Sequence, residues 1–223
     1  MTNAGPIAGI RIIDLSTTFM GPYCTLVLAR MGADVVKVEA PDGDIVRFIG
    51  GGRNPGMGPI FLATNHGKRS VALDLKQPEG RAVLLRLLAD ADVFVTNMRP
   101  SALAKLELRY EDLQQLNPRL VHCSLTGFDG AGPYRDYAAY DDVIQAVSGL
   151  AVTQGEPGPP AYVRSPVTDK IVGLMGVNAI LAALMSRERT GAGQGVEVPM
   201  FETMVGFNLL DQQGGSVFVP PIG

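Results

Sequence analysis

The sequence is poor in the residues that announce redox or metal chemistry: two cysteines, two histidines and no tryptophan in 223 residues. Cys24 and Cys123 lie among apolar residues in segments that read as a helix and a strand, so buried reduced thiols are expected. His66 and His122 stand without clustered Cys or His neighbours, so no metal site is expected. Basic residues are scattered apart from Lys68-Arg69 and Arg187 to Arg189, and the net charge is −3. Nothing there calls for nucleic acid, although an anionic small ligand needs only a few local cations and backbone donors. No run reaches the roughly 18 consecutive apolar residues of a membrane span, and residues 1–9 lack a basic region followed by an apolar one. No membrane association is expected, and cytoplasmic residence is the default.

Three common nucleotide and hydrolase motifs are missing too. The first strand is followed by Ser16-Thr17-Thr18-Phe19-Met20-Gly21-Pro22, with no G-x-G-x-x-G, so NAD is not expected. Neither a Walker A pattern nor a G-x-S-x-G nucleophile elbow occurs.

What is present is a chain of 46% hydrophobic residues, enough to bury a core as one large domain or one domain with an appendage. Strands are predicted at 10–15, 33–38, 70–75, 92–96, 120–125 and 194–198. Helices are predicted from Gly21 to Met31, Pro78 to Asp90, Pro100 to Leu106, Tyr110 to Leu116, Ala139 to Gly149 and Met200 to Gln213. Residues 41–67 and 153–160 read as irregular Gly/Pro loops, the first long enough to be a lid. Repeated strand–helix alternation implies an α/β fold, an open, mostly parallel sheet with flanking helices and ligands at the strands' carboxyl ends.

One further helix carries the candidate chemistry. Ile171, Leu174, Met175, Val177, Ile180, Leu181, Leu184 and Met185 recur at helical spacing, Thr190-Gly191 supplies a stop, and Pro166 sets the start just beyond Ser165. Thr168 or Asp169 is then the candidate cap. Asp169 at that end faces unpaired backbone N–H groups and the positive end of the helix dipole, which favour a carboxylate, the form a nucleophile needs. It reads as a working group or simply as a capping residue.

Other candidates gather at strand ends: Thr17 to Met20, Leu73 to Lys76, Asn97 to Arg99, and Gly127 to Asp141. Singly, Asn97 also reads as a turn residue, Lys76 as a solvated charge and Tyr140-Asp141 as a helix start.

Nearly the whole chain resembles the family III CoA-transferases, also called the carnitine/bile-acid CoA-transferase family. The matching segments include Gly9 to Leu15, Gly21-Pro22, Gly32 to Glu39, Gly43-Asp44 with Arg47, Asn65, and Lys68 to Lys76. They continue with Pro78 to Arg81, Ala91 to Val93, Asn97 with Arg99-Pro100, Asn117 to Arg119, Thr126 to Phe128, Gly132-Pro133, Ala139 to Asp141, and Arg189 to Gly191 with Gly193-Gln194. The resemblance implies a Rossmann-like CoA-binding large domain over residues 1–213, and over 214–223 the start of a linker to an absent small domain. It implies Asp169 as a nucleophile passing through a mixed anhydride and an aspartyl-CoA thioester. CoA-contacting positions would be Phe19, Met20, Leu73, Asp74, Leu75, Lys76, Asn97, Met98, Arg99, Lys105, Ala139, Tyr140 and Asp141. Lys105 falls where the family often has arginine, keeping the charge but not the bidentate fork.

The implied substrates are an acyl-CoA donor and a carboxylic acid acceptor. A racemase branch of the family pairs its aspartate with a histidine, and Tyr140 stands at that position, a poor base near neutral pH. Members about twice this long form interlocked dimers. A homodimer is therefore expected of a full-length chain, with a CoA-binding fragment or half of a split enzyme awaiting a complementary C-terminal chain as the alternative.

Overall fold

The computed structural model describes residues 5–222. Residues 1–4 of the expected large domain and Gly223 of the expected linker lie outside them.

Among the described residues six strands form one sheet: β1 (Arg11–Leu15), β2 (Asp34–Glu39), β3 (Arg69–Ala72), β4 (Val93–Thr96), β5 (Val121–Thr126) and β6 (Gly195–Pro199). Their order is β3-β2-β1-β4-β5-β6 and every neighbouring pair is parallel. Alternate residues feed two cores, as the period of a strand requires: Ile12, Val93, Val95 and Cys123 on one face, Ile13, Leu15 and Phe94 on the other. The first face is covered by α1 (Met20–Arg30), α8 (Val167–Thr190) and α9 (Met200–Leu209), the second by α3 (Pro78–Ala89) and α4 (Pro100–Leu106). Because the chain leaves β1 towards β2 and later returns to β4 on the other side, the strand order reverses between β1 and β4. A crevice opens at the carboxyl ends of strands at such a switch point.

Several expectations are corrected. The 41–67 stretch is not wholly irregular: it contains a 3-10 turn at Ile45–Arg47 and helix α2 (Pro59–Asn65), begun by a proline whose missing N–H costs a first turn nothing. Strand β3 ends at Ala72, because the Asp74 carboxylate accepts from the Lys76 N–H at 3.0 Å and its carbonyl from the Gln77 N–H at 3.1 Å, folding 74–77 into a turn. The helix expected over 139–149 starts only at Asp141 as α6 (Asp141–Val147), and Gly149, at φ +81°, separates it from α7 (Leu150–Gly155), whose end runs into the loop expected over 153–160. The short helix α5 (Tyr110–Leu113) and α9 end earlier than periodicity suggested.

Helix α8 corrects another expectation. It has 24 residues, and an 18-residue stretch of it, at mean hydropathy 1.5, is long and apolar enough to cross a membrane, while polar residues such as Asn178 interrupt the run so that a count of consecutive apolar residues does not reveal it. In this fold it lies on the sheet against α1. A Cβ at Gly173 would stand 2.9 Å from the Met20 carbonyl oxygen, and one at Gly176 3.1 Å from Cys24 Sγ. Glycine at both positions lets the two helices approach closely enough to share a core.

Candidate active site

The crevice begins at the loop leaving β1. Thr18 has φ +72°, a conformation costly for a β-branched residue, and the fold holds it from two sides. The Asp44 carboxylate accepts from the Thr18 N–H at 3.1 Å, while Asn97, after β4, accepts from the Thr17 N–H at 3.0 Å and donates to the Thr17 carbonyl at 2.9 Å. Asn97 thus clips the β1 and β4 loops together across the switch point.

Beneath this loop lies a buried charge network. Lys37 Nζ donates to the Ser16 carbonyl at 2.8 Å and to Asp44 at 3.0 Å. Asp14 accepts from Ser16 Oγ, from Thr25 Oγ1 at 2.5 Å and from Lys68 Nζ at 3.0 Å. Burial alone would raise the Asp14 pKa, but the Lys68 and Lys37 ammoniums and the two hydroxyls outweigh it and hold the group below the ordinary carboxylate value. Glu39, bridged to Arg47 at 2.7 Å and to Ser70 at 2.6 Å, is pulled down to about 2 against the opposing effect of burial.

The other wall is the start of α8. Neither Thr168 nor Asp169 supplies its cap. Instead Asp141 Oδ1, reaching from α6, accepts from the Thr168 N–H at 2.7 Å, the Asp169 N–H at 3.1 Å and Thr168 Oγ1 at 2.6 Å, while its Oδ2 accepts from Gln145 at 2.6 Å. A carboxylate from outside therefore satisfies the helix end. The Asp169 side chain is left to face a cavity of about 300 Å³. Among the described residues its carboxyl has no hydrogen-bond partner. Burial, followed by the negative charge of Asp141, pushes its pKa up to about 7. The expectation that the helix end would hold it ionised is thereby reversed, because burial opposes the charged form while Asp141 occupies the donors and adds a like charge.

Of the fourteen positions the resemblance implies as nucleophile or CoA contacts, eight line this cavity: Phe19, Met20, Asn97, Arg99, Ala139, Tyr140, Asp141 and Asp169. The others do not. Leu73 and Leu75 pack on the second core, as does Met98. Asp74 and Lys76 occupy the turn after β3, two strand spacings or about 10 Å from β1, and Lys105 is exposed on α4. Sequence reasoning missed Asp141 as a cap, Gln145 as its support, and Lys37, Asp44 and Lys68 as buried charges.

A separate cavity of about 550 Å³, across the sheet between α5 and β6, includes His122 and Ser124. The His122 ring there is committed to the Leu108 carbonyl at 3.0 Å, and burial lowers its pKa. No group of Cys, His, Asp and Glu suited to a metal ion occurs among the described residues.

Known proteins are similar to this chain in sequence and fold. The succinate–glutarate CoA-transferase of Agrobacterium fabrum is 42% identical over 205 residues, covering 88% of this chain and 51% of that protein. The succinyl-CoA:mesaconate CoA-transferase of Haloarcula hispanica is 39% identical over 210 residues, covering 90% and 53%. The chain thus spans about half the length of the curated relatives it matches. Among solved structures, a CaiB/BaiF family protein from Brucella suis superposes with a TM-score of 0.91 at 38% identity, covering 96% of this chain and 57% of that one. The family model described as CoA-transferase family III matches residues 7–214, and with this fold and these relatives the chain belongs to that family.

Proposed function

We propose that the protein moves CoA from an acyl-CoA thioester to an acceptor carboxylic acid, with Asp169 as the nucleophile. The observation that carries this is the unpartnered Asp169 carboxyl, facing a cavity at the sheet's switch point in a chain of this family.

The chemistry balances with no metal or redox partner. An Asp169 oxygen attacks the thioester carbonyl, the C–S bond breaks, and CoA leaves as thiolate from a mixed anhydride. The thiolate then attacks the Asp169 acyl carbon, releasing the donor acid and leaving an aspartyl-CoA thioester. The acceptor carboxylate attacks that thioester, freeing the thiolate and forming a second anhydride. Thiolate attack on the acceptor carbonyl returns the Asp169 carboxylate and yields the new acyl-CoA. Covalent catalysis of this kind divides one acyl transfer into easier steps.

CoA would lie along the strand ends, its reactive arm in the Asp169 cavity beside Phe19 and Arg99. Its charged portion would run towards the exposed cations Lys76, in the turn after β3, and Lys105, on α4. A carboxyl with a pKa about 7 would also suit proton exchange, but that needs a second base. The lining of this cavity contains no histidine among the described residues, and Tyr140 shares it with Asp169, which favours transfer. We further propose that the working enzyme includes a second half, supplied within a homodimer of longer chains or by a complementary chain. One relative, in Chloroflexus aurantiacus, is a beta subunit of succinyl-CoA–L-malate CoA-transferase.

The test is peptide mass spectrometry after incubation with succinyl-CoA and hydroxylamine, which converts an aspartyl anhydride or thioester into a stable hydroxamate. Hydroxamate on Asp169, absent from Asp169→Ala, is expected. Labelling that survives in Asp169→Ala, or no labelling while CoA binds, would sink the assignment.

A further inference from the structure

Asp169 borders two concavities. Besides the strand-end cavity, a larger one of about 660 Å³ opens between α6 and the loop before α8, and Tyr140, Asp141 and Asp169 line both. Each contains one arginine with no hydrogen bond or ion pair to its side chain among the described residues, Arg99 in the first and Arg164 in the second. We infer that the α6-side concavity receives the acid partner, and that Arg164 binds the remote carboxylate of a dicarboxylic acyl group. This rests on Asp169 being the nucleophile.

The loop that carries Arg164 is held in place without it. The Val163 N–H donates to Gln145 Oε1 at 2.8 Å and its carbonyl accepts from Gln145 Nε2 at 3.3 Å, a two-point clasp onto α6. On the far side the Ser165 N–H donates to the Val163 carbonyl at 2.8 Å, and Ser165 Oγ accepts from Lys170 Nζ at 2.6 Å. Both neighbours of Arg164 are therefore fixed while its guanidinium is uncommitted, a preorganised donor on a rigid base. A guanidinium suits a carboxylate because its fork matches the two oxygens.

The acidic neighbours form no ion pair with it among the described residues. Asp141 is occupied by donors from Thr168, Asp169 and Gln145, and Asp142 is exposed, so solvent screens it. Arg164 lies five residues before Asp169, at a different point of the lining from the reacting carboxyl. A ligand bearing one carboxylate at the reaction centre and a second at its other end would engage both groups. A monocarboxylate would engage only one.

The test is calorimetric titration of glutarate and of butyrate into the wild-type chain and Arg164→Met, with CoA titrated into each. Glutarate is expected to bind the wild type at least tenfold more tightly than butyrate. Arg164→Met should lose that preference with CoA affinity and melting temperature unchanged, and Arg164→Lys should recover part of it. A preference that persists in Arg164→Met, or none in the wild type, would overturn the inference. Hydroxamate labelling of Asp169, measured on the same samples, separates the cases: if it persists while the acid preference ignores Arg164, only the subsite fails. If the wild type is never labelled, the nucleophile assignment fails and this inference with it.

Discussion

Asp14 lies buried beneath one wall of the crevice and Asp169 on the other, and their pKa values shift in opposite directions. Asp14 is fully buried, yet two ammoniums and two hydroxyls surround it and keep it below the ordinary carboxylate range. Asp169 is less buried, has no donor on its carboxyl among the described residues, and rises to about 7. Burial pushes both groups the same way, so partners decide the outcome rather than depth. The fold completes the hydrogen bonding of Asp14, Asp44 and Asp141, which hold its loops and helix end, and withholds it from Asp169 in the cavity. An unsatisfied acidic group at a sheet's switch point is a candidate functional group for that physical reason.

The largest effect should come from making Asp14 resemble Asp169. Lys68→Met removes an ammonium whose side chain is 1% exposed and which also donates to the Pro22 carbonyl and Asn65. Asp14 would remain buried with one cation fewer, and breaking a buried pair on one side costs about 3–5 kcal/mol. Urea unfolding at pH 7 should show that loss. A loss below about 1 kcal/mol would mean that Lys37 and the hydroxyls suffice, and that the network has slack.

The two walls also differ in how far the sequence disclosed them. Strands were legible because Ile12, Ile13, Val35, Val36 and Val93 to Val95 form short β-branched apolar runs, and the α8 start because Pro166 and the periodic apolar residues bracket it. Asp169 could be placed at a helix end from local pattern alone. Its environment could not, because the group that caps α8 and raises the Asp169 pKa is Asp141, 28 residues earlier. Lys37, Asp44 and Lys68 were visible as residues of matching segments, but a lysine in a strand ordinarily reads as solvated, and only the tertiary fold buries this one at 1% exposure. The turn at Asp74 was legible in principle, since Asp two residues before an unpaired N–H is an Asx-turn signal.

A smaller effect concerns stability. Because the folded-state pKa of Asp169 is raised to about 7 from 3.8, the folded protein binds that proton more tightly than the unfolded chain does. The destabilisation is therefore absent below pH 3.8, grows as pH rises, and is complete above about 7. Asp169→Asn removes it, so the variant should gain stability over the wild type with increasing pH, reaching about 2 kcal/mol at pH 8 once solvent screening is allowed for. Thermal melts at pH 4, 6 and 8 measure this. A gain that is constant across the range would show that the carboxyl never meets its burial penalty in the fold.

The smallest effect separates the two causes of the Asp169 shift. In Asp141→Asn, the amide oxygen can still accept from the Thr168 and Asp169 N–H groups, so the cap is kept while the like charge goes. One contact is sacrificed, because the new amide nitrogen faces Gln145 Nε2, whose own Oε1 is held by the Val163 N–H. The pKa of Asp169 should then fall by up to about one unit, worth roughly 1 kcal/mol, and remain well above 3.8, because burial is the larger cause. The measurement is the pH dependence of Asp169 hydroxamate formation, which requires the ionised carboxyl and should rise through about pH 7 in the wild type. Its midpoint should move to lower pH in Asp141→Asn. A midpoint that stays in place would assign the shift to burial alone and reduce Asp141 to the cap of α8, while one that falls to the ordinary carboxylate value would make Asp141 the dominant cause.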